Sequence, residues 1–422
     1  MVKPKLFDQL AQQPQFLVPD GTELSPPDIN LDPPPSKRRQ ERSVAKIILL
    51  LSACIAVGFV SVMMSHRPRE VASATASCPP VLPLLLVTGA SSNHFDALRG
   101  WLLRMRRILN EGKPKSRGRG NLGALGECLG KFSSLKIEVV IYDLGLTEEQ
   151  ANDLDKIIYG RHAGKSSKAP TPEYHFVKRI ERFQFENYPR HVNISNYDEM
   201  TQEYTRGHWA WKPIIIHEEW AKMSNKLARG QDQLSNRALL VWSDSGNAIT
   251  DEYLLSLEHL VYHQWRIGGR PGFFSPHRGY PLPYWTHRDA MVYFNVTPSQ
   301  ESRPGVRWSE VGMCTAGLVA FDINLASPLI QSWRDCAMKV ECIAPLGSNR
   351  KNHRQDEPPL TMISEQQQHQ PCNVREYDVG VWTNMDDVVE DWIKMEENLW
   401  REQNRLWDHR EKNQWWLKPP SG

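Results

Sequence analysis

Asp244 stands at the end of ALLVWSDSG, residues 238–246, where an apolar run gives way to Ser-Asp-Ser-Gly. A carboxylate at the end of a buried strand is placed where a substrate or a cation can reach it. Through a divalent ion it can help neutralise a diphosphate leaving group. Asp-Ser-Gly is also a good turn sequence, so the same residue reads as a cap or turn as well. A second cluster is His353-Arg354-Gln355-Asp356-Glu357. Asp356 has the chemistry of a general base and Arg354 that of a phosphate holder. The competing reading is a capped helix start with a salt bridge. Pro358 and Pro359 fit such a start less well than a single proline would. Cys314-Thr315-Ala316-Gly317 is small enough to let backbone approach a ligand, or to make a tight core turn. Lys212, in WAWKP, either reaches an anion or covers a helix surface, and His287 either touches substrate or is structural.

Other chemistries find no support. There is no Walker or dinucleotide glycine loop, no HExxH, and no convincing Ser-His-Asp order. The basic stretch 113–119 has no interleaved aromatic residues, which argues for a solvated loop over a nucleic-acid surface. The net charge of +2 gives no global pull toward polyanions.

The elements that must position these residues alternate. LLLVT (84–88), IEVVIY (137–142), a run near 181–185 and ALLVW (238–242) have strand character. Between them, residues 93–110 carry Phe95, Leu98, Leu102, Met105, Ile108 and Leu109 at helical spacing, with Asn93 as the expected N-cap. Thr147 with Gln150 forms a capping-box pattern, and residues 211–227 read as a helix with Pro213 in its first turn. MCTAGLVAFD (313–322) reads as a small-residue turn running into a strand. Such alternation predicts an α/β domain with a mostly parallel sheet flanked by helices, whose strand C-terminal ends share the ligand-binding edge.

Five segments in order, IEVVIYDLGLTEEQ, WAWKPIIIHEE, ALLVWSDSG, MCTAGLVAFD and CIAPLGS with NHRQDEPPLTMI, resemble the nucleotide-diphospho-sugar transferases of the GT-A fold. The resemblance is stronger to a family of eukaryotic secretory glycosyltransferase-like proteins, and it covers most of residues 82–363. It implies a GT-A-like sheet, a nucleotide-sugar donor, and a glycan or glycoprotein acceptor. It casts Asp244 as the metal or diphosphate residue, with Mn²⁺ or Mg²⁺ as the expected ion. Ser245, Gly246, Thr315, Ala316 and Gly317 would line the sugar pocket. Asp356 would act as base in an inverting reaction or orient the donor in a retaining one; Lys212, His287, His353 and Arg354 would contact substrate. One departure stands out: Gly246 occupies the position where the usual acidic motif has its second Asp. Either another ligand completes the metal site, or the site uses no metal, or it is inactive.

Residues 1–46 are polar and Pro-rich, as a disordered tail would be. Residues 47–64, IILLLSACIAVGFVSVMM, are uncharged, and as a helix would span about 27 Å. More Lys and Arg precede this run than follow it, which predicts a type II anchor with a cytoplasmic N-terminus in an ER or Golgi membrane. A stem over 65–80, a lumenal domain over 81–375 and a Trp-rich helical extension over 376–422 follow, the last with a helix expected from Trp392 to Trp407. Six cysteines lie beyond the span, an even number suited to an oxidising lumen, and Cys336 and Cys342 are close enough to bridge locally. Asn193-Ile-Ser195 is a candidate glycosylation site; at Asn295-Val-Thr297 the following Pro298 makes a poorer one.

Overall fold

A computed structural model describes residues 82–111, 137–160, 170–198, 203–229, 237–262, 269–375, 379 and 381–382. The expected tail, apolar span, stem, basic loop and Trp392–Trp407 helix lie outside the described residues. Among the described residues, no helix is long and apolar enough to cross a membrane.

The chain is α/β. Strands β1 (Leu84–Ala90), β2 (Ile137–Asp143), β3 (Val177–Arg182), β4 (Leu239–Ser243), β5 (Phe273–Phe274) and β6 (Leu318–Asp322) form one sheet in the order β3-β2-β1-β4-β6-β5. β1, β2, β3 and β4 run parallel, whereas β6 runs antiparallel to both β4 and β5. The helices that matter below are α1 (Phe95–Glu111), α2 (Glu148–Tyr159), α3 (Trp211–Ala228), α4 (Asp251–Tyr262), α5 (Ser327–Ala337) and α6 (Glu357–Gln366).

Side chains alternate across a strand with a period of two, so each strand feeds both faces. Leu85, Val87, Val140, Leu240 and Trp242 face a core shared with Ile215 of α3, Trp333 of α5 and Leu360 of α6. Leu84, Leu86, Val139, Ile141 and Val241 face the opposite core, built with Leu98 and Trp101 of α1 and Tyr253 of α4. With helices on both faces, the interior strands β1, β2, β4 and β6 are apolar nearly throughout, as buried strands are, whereas the edge strand β3 carries Lys178, Arg179, Glu181 and Arg182. Each large side chain buried in this way contributes about 1.5–3 kcal/mol.

Two local expectations are corrected. The third strand is Val177–Arg182, earlier than the run near 181–185. Phe183 and Phe185 leave the sheet and pack edge to face, ring centres 4.7 Å apart, because aromatic burial outcompetes strand continuation there. Asn93 does not cap α1; it lies inside a 3₁₀ turn, Ser92–His94, that leads into the helix. Thr147 does cap α2, and its capping box with Gln150 is complete.

α3 is held at two places. Near its middle, buried Glu219 accepts from Tyr142 Oη at 2.6 Å and from Lys222 Nζ at 2.8 Å, and pairs with Arg179. Its first turn is fixed by Lys212.

Candidate functional site

β1 lies between β2 and β4, so the chain winds outward on one side and then returns on the other. The crevice outside the carboxyl ends of two such strands is the usual ligand site of an open α/β sheet. Asp244 directly follows β4 at that edge. Because β6 is antiparallel, its first residue Leu318 pairs with Ser243, the last of β4. The Thr315–Gly317 turn therefore enters the sheet where Asp244 leaves it. Gly317 O accepts from Asp244 N at 2.8 Å and from Asn247 Nδ2 at 2.6 Å. A Cβ on Gly317 would come within 3.0 Å of Asp244 Oδ2, so the missing side chain keeps that oxygen clear.

The first turn of α3 and the start of α6 meet at Asp244. Lys212 Nζ lies 3.1 Å from Asp244 Oδ1 and 2.9 Å from Asp356 Oδ2. The Lys212 side chain is 3% exposed and that of Asp356 7%, whereas that of Asp244 is 41% exposed. Asp244 is thus the open carboxylate, and the other two groups stand behind it. Trp242 Nε1 donates to Asp244 Oδ1 at 2.6 Å. Comparison with protein-family models and with curated proteins returned no match.

The charges follow from this placement. Burial alone would depress the Lys212 ammonium, but Asp244 and Asp356 outweigh it and hold its pKa above the usual lysine value. Burial pushes the Asp356 carboxyl up to about 6, with Glu357 and Asp244 adding to the rise and Lys212 opposing it. One ammonium serves two carboxylates, of which Asp356 is the more buried.

A stability signature follows. Between the unfolded value of about 4 and the folded value, the unfolded chain releases the Asp356 proton while the native protein keeps it. This group's contribution to stability is therefore greatest below that window and falls as pH rises through it, by about 3 kcal/mol in all. In urea titrations from pH 4 to pH 7, Asp356→Asn is expected to remove this fall. A wild-type minus variant difference that stays flat across the window would refute the assignment.

The remaining expected site residues separate into two groups. Ser245 and Gly246 form the buried turn after Asp244, while Thr315 and Ala316 are fully buried beside it. Thr315 Oγ1 accepts from Gly317 N at 3.3 Å. His353 departs from expectation. It is fully buried, its Nδ1 accepts from His287 N at 3.2 Å, and its Nε2 lies 3.1 Å from Ile343 O. Burial lowers its pKa to about 4, so the neutral ring braces two loops and offers nothing to substrate. His287 caps the short helix Arg288–Tyr293, its Nδ1 accepting from Asp289 N at 3.2 Å. Lys212 is neither on a helix surface nor open to an anion, because the two carboxylates enclose it. Arg354 lies over the Trp285 ring at 4.8 Å, and its Nε is buried with no hydrogen-bond partner among the described residues. Burial lowers its pKa; Glu357 opposes that shift and Arg278 and Arg350 add to it.

Trp242 and Asn247 were not singled out from sequence. For Trp242 a signal existed: residues two apart on a strand share a face, which sets Trp242 beside Asp244.

The ion expected from the resemblance does not fit these residues. Asp244 Oδ1 is already engaged by an ammonium and an indole N–H. Asp356 is engaged by the same ammonium. Mn²⁺ and Mg²⁺ need several oxygens. Among the described residues no group of three or more His, Cys, Asp or Glu side chains could hold a metal.

Proposed function

We propose that the chain is a GT-A-like glycosyltransferase that moves a sugar from a nucleotide-sugar donor to a glycan or protein acceptor. The observation that carries this reading is Asp244, an open carboxylate at the switch point of the sheet, backed by Lys212 and Asp356 from two other elements. Its Oδ2 faces the small-residue turn and can accept a hydrogen bond from a sugar hydroxyl. In the transfer, the acceptor oxygen bonds to the anomeric carbon as the bond from that carbon to the phosphate oxygen breaks. The hydroxyl proton passes to Asp244, and the nucleoside diphosphate leaves into the crevice as an anion, with Arg354 as the proposed phosphate holder. Asp356 is too buried to meet the acceptor directly, and it positions Lys212.

The setting belongs to the same reading: a type II anchor over residues 47–64, with the domain in the ER or Golgi lumen. Two disulfides, Cys314–Cys372 and Cys336–Cys342, suit an oxidising compartment. Asn193 is exposed, with its Oδ1 accepting from Arg206 Nη2 at 2.6 Å.

The test is a thermal-shift panel on the full chain with UDP-, GDP- and CMP-sugars, with and without Mn²⁺. A donor at about 100 times its Kd should add roughly 2.7 kcal/mol of stability. One donor class is expected to shift the transition, and Asp244→Ala to abolish the shift while leaving the protein folded. A second reading is a donor-free glycan-binding or scaffolding module. It is favoured by the exposed, stacked pair Tyr280 and Tyr284, ring centres 5.5 Å apart, a flat apolar face suited to a sugar ring. No shift with any donor, together with retention on a glycan column lost in Tyr284→Ala, would select it.

A further inference from the structure

We propose that Lys212 is the resident cation of this site: its ammonium occupies the place between Asp244 and Asp356 that a divalent ion would take, and so makes the site metal-independent. What the cation is for rests on the sugar-transfer reading; that it excludes a metal does not.

The three groups come from separate elements, the first turn of α3, the end of β4 and the residue preceding α6. No one of these elements brings them together by local spacing, so the tertiary fold builds the arrangement. The ammonium is not a mobile surface charge. It is enclosed, with the Trp211 and Trp242 rings each 5.9 Å from Nζ, and α3 itself is locked through Glu219. Lys212 therefore cannot swing away to admit an ion.

Asp244 presents the same conflict from the other side. An N–H pointing at Oδ1 takes the lone pair that a metal would need there. Oδ2, the remaining oxygen, is itself 3.3 Å from Lys212 Nζ. An ion bound to Oδ2 at about 2.1 Å, the usual Mg²⁺ distance, would sit beside a fixed positive charge. The sequence agrees with this geometry. Gly246 stands where a second acidic ligand would, and Lys212 supplies within the chain the charge that such a pair would have recruited.

The arrangement also assigns a separate role to each carboxylate. Asp356 satisfies Lys212 from behind, and Asp244, held by the same ammonium, faces the open crevice. Lys212 is thus a positioning residue, acting through Asp244.

The experiment is a titration of the full chain with Mn²⁺, reading free ion by electron paramagnetic resonance, with no sugar nucleotide present. Wild type, Asp244→Asn, Lys212→Met and the Lys212→Met/Asp244→Asn pair are compared. Wild type is expected to show no stoichiometric site that Asp244→Asn removes. Lys212→Met is expected to bind Mn²⁺ at least about tenfold more tightly than wild type, since site charge tunes cation affinity, and to lose that gain when Asp244→Asn is added. A stoichiometric wild-type site lost in Asp244→Asn would overturn the proposal. A folded Lys212→Met variant that gains no site dependent on Asp244 would overturn it as well. If Lys212→Met does not fold, the wild-type and Asp244→Asn titrations decide alone. Because no donor is present, failure here leaves the donor panel unaffected, and failure of the donor panel leaves this result standing.

Discussion

Lys212→Met is expected to lower the unfolding free energy by about 3–5 kcal/mol at neutral pH, the range for breaking a buried ion pair from one side. Methionine keeps the length and apolar stem of lysine, so packing loss is small and the effect isolates the charge. What remains after the substitution is a buried Asp356 with no cation beside it. Lys212 now opposes the upward shift of that carboxyl, so its removal pushes the pKa of Asp356 further up. The deficit should therefore shrink as pH falls and Asp356 takes a proton. The second substitution Asp356→Asn should recover part of the loss, because a neutral amide does not need the ammonium. Urea unfolding of the two single variants and the double gives the coupling directly. A cost below about 1 kcal/mol, equal at pH 5 and pH 7, would be the behaviour of a surface pair and would sink the buried hub.

Most of the framework could be read from the sequence. β1, β2 and β4 contain short apolar runs, residues 84–88, 137–142 and 239–242, and α1 repeats its apolar residues on one face. These are local signals, and local signals survive folding. The antiparallel placement of β6 was not legible, because pairing direction is set by where the chain returns and not by composition. Yet that single reversal delivers Gly317 to Asp244. The ion hub was hidden for the same reason. Lys212, Asp244 and Asp356 were each singled out, but 32 residues separate Lys212 from Asp244, and nothing in the string places one ammonium between two carboxylates.

Local anomalies mark the hub once the structure is in view. Asp is a preferred N-cap, yet Asp356 precedes α6 without a side-chain capping hydrogen bond; its carboxylate turns to Lys212. The orphan N–H groups of that first turn are few because Pro358 and Pro359 fall there, where missing donors cost nothing. The double proline that looked awkward in sequence is thus suited to a helix whose cap is engaged elsewhere. Gln355, just before Asp356, has φ +44, and His208 and Trp209, just before α3, have φ +50 and +58. Left-handed backbone at non-glycine residues costs about 1–3 kcal/mol each and persists only where the surroundings enforce it. Two of the three chain segments that enter the hub carry this cost, which the enclosed ion pairs and the buried faces of α3 and α6 offset.

The Cys314–Cys372 disulfide provides the second large effect. It closes a separation of 58 residues, whereas Cys336–Cys342 closes only 6. In the chain-entropy account the longer loop is worth roughly 4 kcal/mol and the shorter about 2. Cys314→Ala/Cys372→Ala is therefore expected to cost about twice as much in urea as Cys336→Ala/Cys342→Ala. The long bridge also reaches the site. Cys314 leads directly into Thr315–Gly317, and its backbone N–H is held by Thr361 Oγ1 of α6 at 2.9 Å. Thr315 N bonds in turn to Pro276 O at 3.0 Å. Loss of the bridge leaves those hydrogen bonds but removes the covalent tie between the turn and the segment after α6. On the proposed sugar-transfer reading, donor-induced stabilisation should then fall together with stability in the long-bridge variant, and stay near wild type in the short-bridge variant. Equal losses in the two variants would show that the bridges act only on the unfolded chain. A selective loss in the first would show that the clear space beside Asp244 depends on how firmly Cys314 is anchored.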